Sequence, residues 1–123
     1  CRKMMLRSPI PAARAAVTAA KSQQRSVTLA LEEESAGYRY RLEALAEKIS
    51  RYDNELLPQA VSTIDAARIG YEVGTVDFDG LLASYLTRLD LILDRLRLIA
   101  EYHQTTAALQ ALLGTAASPG DLR

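Results

Sequence analysis

Apolar positions recur at helical spacing along most of this chain. After Leu31 come Tyr38, Leu42, Leu45, Ile49, Tyr52 and Leu56, at steps of 7, 4, 3, 4, 3 and 4. A seven-residue recurrence keeps one apolar seam on a helix and marks helices wound around neighbours. Ahead of that seam, Ala12, Ala13, Ala15, Ala16, Ala19 and Ala20 combine high helix propensity with a low profile. Gly37 sits inside the pattern and costs about 1 kcal/mol relative to alanine. Pro58 is the main obstacle. It has no N–H, and its ring clashes with the carbonyl four residues back, so a kink or an end is expected near Asn54. The stripe nevertheless continues through Leu56, Ala60, Ile64, Ala67 and Tyr71, at steps of 4, 4, 3 and 4. A true break would usually lose that phase. The expectation is one bent helix over residues 12–73, about 90 Å long at the α-helical rise. The alternative is two helices stacked end to end at Pro58.

Gly74-Thr75-Val76 then closes a tip at residues 70–78. Gly74 is placed for a left-handed helix C-cap. Either Thr75 or Asp77 can cap the next helix, and Asp77 and Asp79 both suit its positive N-terminal end. The return helix is expected over residues 79–113, about 52 Å by the same rise, with Gly114 ending it. It carries two apolar stripes. One runs Phe78, Leu82, Tyr85, Leu89, Ile92, Leu96, Ile99; the other runs Leu91, Leu98, Tyr102, Thr105, Leu109, Leu112. The fold class is therefore all-α, a long antiparallel coiled-coil hairpin spanning residues 12–114. Residues 1–11 form a basic lead-in, with Ser8 as N-cap and Pro9 at the first helical position. Residues 115–123 read as a loose tail. The two helices are unequal, so residues 12–37 lack a partner within the chain. Isolated helices are marginal in water, and self-association is expected.

Charge narrows the field. Fifteen basic and fifteen acidic side chains cancel, which disfavours a nucleic-acid partner. Six Tyr, one Phe and no Trp leave few bulky core-fillers, as suits thin helix-on-helix packing. No apolar run reaches the roughly 18 residues of a membrane-spanning helix, and no signal peptide is visible. If the parent protein is exported, its signal lies upstream. Cys1 is the single cysteine. It is read as the point where a longer chain was cut, the alternative being a lipidation site.

Candidate chemistry is sparse. His103 lies on the first stripe of the return helix, but Thr106 and Ala107 occupy the positions where a second metal ligand would sit. Met4 and Met5 are weak candidates for thioether ligands. Asp77 and Asp79 lie together at the tip. They read as helix capping, or as part of a ring of charge around a pore built by several subunits. No catalytic constellation and no cofactor motif is present, and the chain is not expected to be an enzyme.

The residues around the tip resemble those of a known family. Ala66-Ala67-Arg68-Ile69-Gly70-Tyr71-Glu72-Val73-Gly74-Thr75-Val76-Asp77-Phe78-Asp79-Gly80-Leu81-Leu82 resembles the periplasmic tip of TolC-like outer-membrane efflux proteins. Leu56-Leu57-Pro58-Gln59-Ala60 looks like the Leu-Pro-Gln-Ala element before that tip. Ala100-Glu101-Tyr102-His103-Gln104 and Ala111-Leu112-Leu113-Gly114 resemble the end of the family's return helix. The resemblance implies a homotrimeric outer-membrane channel with a periplasmic α-barrel, which meets a periplasmic adaptor protein and an inner-membrane pump. This chain would be its C-terminal portion, lying in the periplasm. Val73, Gly74 and Thr75 then match the motif at which the adaptor docks, with Gly70 and Tyr71 beside it. The same resemblance implies that Tyr71, Val76, Asp77 and Asp79 would stand at the aperture. Two departures matter. Ala83 stands where the family often has an aspartate, and Val76 where some related tips are basic. The competing expectation is a coiled-coil oligomerisation module without a transport role.

Overall fold

The computed structural model describes residues 9–116, and among these it is helical except for one turn. Helix α1 spans Pro9–Arg51, and a five-residue π turn spans Tyr52–Leu56. Helix α2 spans Leu57–Glu72, and the return helix α3 spans Phe78–Ala116. No strand occurs among the described residues. The helical pattern thus gives the fold class: a long helical run followed by a return helix.

Several boundaries differ from expectation. Helix α1 starts at Pro9, the first helical position expected of it, so residues 9–11 belong to the helix and not to a lead-in; proline's fixed φ and missing donor are no handicap in a first turn. Ser8, Met4, Met5 and Cys1 lie outside the described residues. Gly114 does not end the return helix, which continues to Ala116. A glycine lowers helix propensity without forbidding the helix.

Contacts divide the chain into two units, one of residues 38–111 and one that includes residues 9–37 and 112–116. Within residues 38–111, the long helical run is covered along one seam. Leu45, Ala60 and Ile64 are buried there, with Tyr38, Leu42, Ile49, Tyr52, Leu57 and Ala67 half-buried. On α3 the covered line is Leu81, Ser84, Leu91, Leu98, Tyr102, Thr105 and Leu109. That is largely the second of the two predicted stripes. Ser84 and Thr105 are buried hydroxyls, and each donates to a carbonyl of its own helix, Leu81 at 2.6 Å and Glu101 at 2.8 Å. Their polarity is thereby satisfied where the helices meet. Ser84 was not foreseen, because apolar periodicity passes over a hydroxyl. An ion pair joins the long run to the return helix: the Arg95 guanidinium donates Nε–H to Asp53 Oδ1, and Nη2 lies 3.3 Å from Oδ2. The forked geometry favours carboxylate recognition.

In the other unit, residues 10–30 are exposed throughout. Leu31 is half-buried, and Ser35 is buried, donating to the Glu32 carbonyl at 3.0 Å. Ser35 is another seam position that apolar spacing missed.

The first predicted stripe of α3 remains largely uncovered. Phe78, Leu82, Tyr85, Leu89 and Leu96 are exposed, while Ile92 and Ile99 are half-buried. Leu86 and Leu93 are also exposed and belong to this face. With them it reads Leu82, Leu86, Leu89, Leu93, Leu96, at steps of 4, 3, 4 and 3.

Candidate functional site

The tip is built by two capping devices placed back to back. Val73 ends α2 with φ −93° and ψ 1°, and Gly74 follows at φ +80°, the left-handed region that a Cβ disfavours. The Gly74 N–H donates to the Tyr71 carbonyl at 3.2 Å, and the Thr75 N–H to the Gly70 carbonyl at 2.8 Å. This pair of bonds is the Schellman motif, which satisfies carbonyls that a helix end leaves free. The Gly70 carbonyl also accepts the Val76 N–H at 3.0 Å and the Thr75 hydroxyl at 3.1 Å. One carbonyl therefore gathers the whole turn.

Asp77 opens the return helix. Its Oδ1 accepts the Gly80 N–H at 2.9 Å, and its carbonyl accepts the Leu81 N–H at 3.1 Å. Asp77 is thus the N-cap. Of the two candidates, Thr75 spends its hydroxyl on the preceding helix instead. Asp79 lies in the first turn of α3, where negative charge is favoured by the helix dipole.

The two glycines flanking the turn make room for one side chain. A Cβ on Gly70 would meet Val76 Cγ2 at 2.5 Å, and one on Gly80 would meet Val76 Cγ1 at 3.0 Å. Val76 is half-buried between the two helix ends, and Gly70 is buried. Gly70 was expected beside the docking motif. In this chain the space it leaves holds Val76.

The remaining tip side chains face outward. Val73 is 69% exposed, Ile69 61%, Phe78 59% and Tyr71 46%. Tyr71 and Phe78 meet edge to face with ring centroids 6.4 Å apart, a favourable aromatic geometry. The structure therefore sorts the predicted site residues into two groups. Gly70, Gly74, Thr75, Val76 and Asp77 build the turn. Tyr71 and Val73 are exposed on it, with Ile69 and Phe78 as neighbours that motif matching passed over. Their signal was available as bulky apolar side chains beside a turn with no covered seam to enter.

Chemistry beyond packing is thin. His103 is exposed and touches the Tyr102 ring edge-on at 6.0 Å. No cluster of three metal-ligating side chains occurs among the described residues, and none of their helices is long and apolar enough to cross a membrane. No family model matches the chain, and neither a curated protein nor a solved structure matches it.

Proposed function

We propose that this chain supplies the duct wall and docking tip of a homotrimeric outer-membrane efflux channel. It would act in the periplasm as a passive conduit and scaffold. Three subunits stand side by side, their long and return helices pairing as antiparallel coiled coils. The tip receives a periplasmic adaptor that links the channel to an inner-membrane pump. The reading rests on the resemblance at Tyr71-Glu72-Val73-Gly74-Thr75 and at Leu57-Pro58-Gln59-Ala60. The observation that carries it is the condition of that motif. Gly74 and Thr75 lock the turn through backbone and hydroxyl bonds, while Val73 stays exposed and Tyr71, resting edge to face on Phe78, keeps 46% of its surface exposed. A rigid turn crowned by apolar side chains loses little entropy on docking. The exposed leucine face of α3 supplies what a stave needs towards its neighbour.

Val73→Glu tests the docking role, because Val73 contributes its side chain to no bond of the turn. The variant is placed in the parent protein, in cells lacking the native copy. Growth inhibition by dyes, detergents and metal salts is measured alongside cross-linked trimer. The expected outcome is intact trimer with sensitivity close to that of cells without the protein. Unchanged resistance would overturn docking at the tip and favour the plain oligomerisation module. Gly74→Leu gives the same loss of export on this reading, but through collapse of the turn, and so discriminates less.

A further inference from the structure

The covered positions around Pro58 conceal an irregularity. Leu45, Ile49, Tyr52, Leu56, Leu57, Ala60, Ile64 and Ala67 are all covered at least in part, and Leu45 to Tyr52 and Ala60 to Ala67 are each seven positions, whereas Tyr52 to Ala60 is eight. Remove one residue from that stretch of eight and Leu45, Tyr52, Ala60 and Ala67 fall on an unbroken seven-residue repeat. The π turn lies in that stretch. The Leu57 N–H donates to the Tyr52 carbonyl five residues back, and Arg51, Leu56 and Leu57 keep right-handed helical dihedrals. A π turn inserts one residue without breaking the helix, and such turns are recurrent at functional positions. The chain thus carries one residue more than its seam requires, stored between Tyr52 and Leu57.

Two features hold that residue in place. The next π bond towards the tip would need an N–H from residue 58 to the carbonyl of residue 53, and Pro58 has none. On the other flank, Asp53 is clamped to Arg95 on the return helix. A surplus residue moving towards the N-terminus would carry Asp53 around the helix and away from Arg95. The pair is only partly exposed, at 32% for Arg95 and 42% for Asp53. Its contribution is therefore modest, as is usual for pairs that solvent can reach.

We propose that the Tyr52–Leu56 turn is a latched register hinge. Proline blocks passage of the surplus residue towards the tip, and the Asp53–Arg95 pair blocks passage the other way. When the pair opens, the residue passes into α1, and each position it passes turns by about 100° about the helix axis. The seam of α1 within residues 38–51 can then repack against the return helix without unfolding α2 or the tip. This conclusion does not depend on the transport reading.

Amide hydrogen exchange on the full chain, read residue by residue, tests the hinge. Asp53→Asn keeps the shape and removes the charge. Exchange at the amides of residues 52–57 should rise about two- to five-fold, the upper range for losing a partly exposed charged pair. The amides of Thr75, Val76 and Leu81 should not change. The double variant Asp53→Arg with Arg95→Asp should restore slow exchange. Deleting Asn54 removes the surplus residue, so the amides of residues 52–57 should become as protected as their α-helical neighbours. Unchanged exchange in Asp53→Asn would overturn the latch, as would equal acceleration at the tip. A deletion variant no better protected than the parent would overturn the surplus residue.

Discussion

At Pro58 and at Gly74 the helical run meets its two conformational obstacles, and only the second turns the chain back. Proline removes a donor and crowds a carbonyl, yet the helix proceeds, because the seam on both sides already points at the return helix. Ala60 and Ile64 are buried beyond the obstacle just as Leu45 is before it. The backbone adjusts by one widened turn. At Gly74 a positive φ redirects the chain, and three donors converge on the Gly70 carbonyl to hold the new direction. Loss of a hydrogen bond is thus easily absorbed inside a packed helix. Reversal needs a left-handed residue together with partners for the carbonyls it strands.

That contrast can be broken most forcefully at Gly70. Gly70→Ala places a methyl 2.5 Å from Val76 Cγ2, and overpacking of this kind costs about 1–3 kcal/mol. Urea unfolding of the variant at matched chain concentration should show the loss, and an unaltered midpoint would mean that Val76 is not wedged there. Gly74→Ala is next. Nothing lies within 4 Å of the added carbon, so the cost is conformational, about 1–2 kcal/mol. Gly74→Asn should recover most of it, since asparagine tolerates the left-handed region. Gly37→Ala sharpens the comparison from the opposite side. Gly37 lies in α1 with ordinary helical backbone and open space around it. The substitution should stabilise the chain by about 0.5–1 kcal/mol, seen as a raised thermal midpoint. A loss there would show that this glycine, too, is a required break.

Much of the fold was legible because helical periodicity is a local property. The seam from Leu42 to Tyr52, the reversal near Gly74 and the stripe through Leu91, Leu98 and Tyr102 all follow from spacing and turn chemistry. Seam positions filled by Ser35 and Ser84 were not legible. A hydroxyl bonded to its own helix is as buriable as alanine, but hydropathy does not register it. Nor could spacing show that Leu56 and its neighbour Leu57 would both be half-covered at the approach to Pro58. That depends on whether the turn there is α or π.

At the tip, the residues by themselves determined that a turn occurs, that Gly74 takes the left-handed position and that either Thr75 or Asp77 starts the return helix. These are decided within a few residues, by sterics and by donors seeking acceptors. Only the tertiary structure decided that Thr75 serves the helix before it, that Val76 fills the space left by Gly70 and Gly80, and that Val73 stays free. Those outcomes require the ends of both helices to be present together. The same holds for Asp53 and Arg95, 42 positions apart, which pair only because a turn midway between them brings the return helix back alongside.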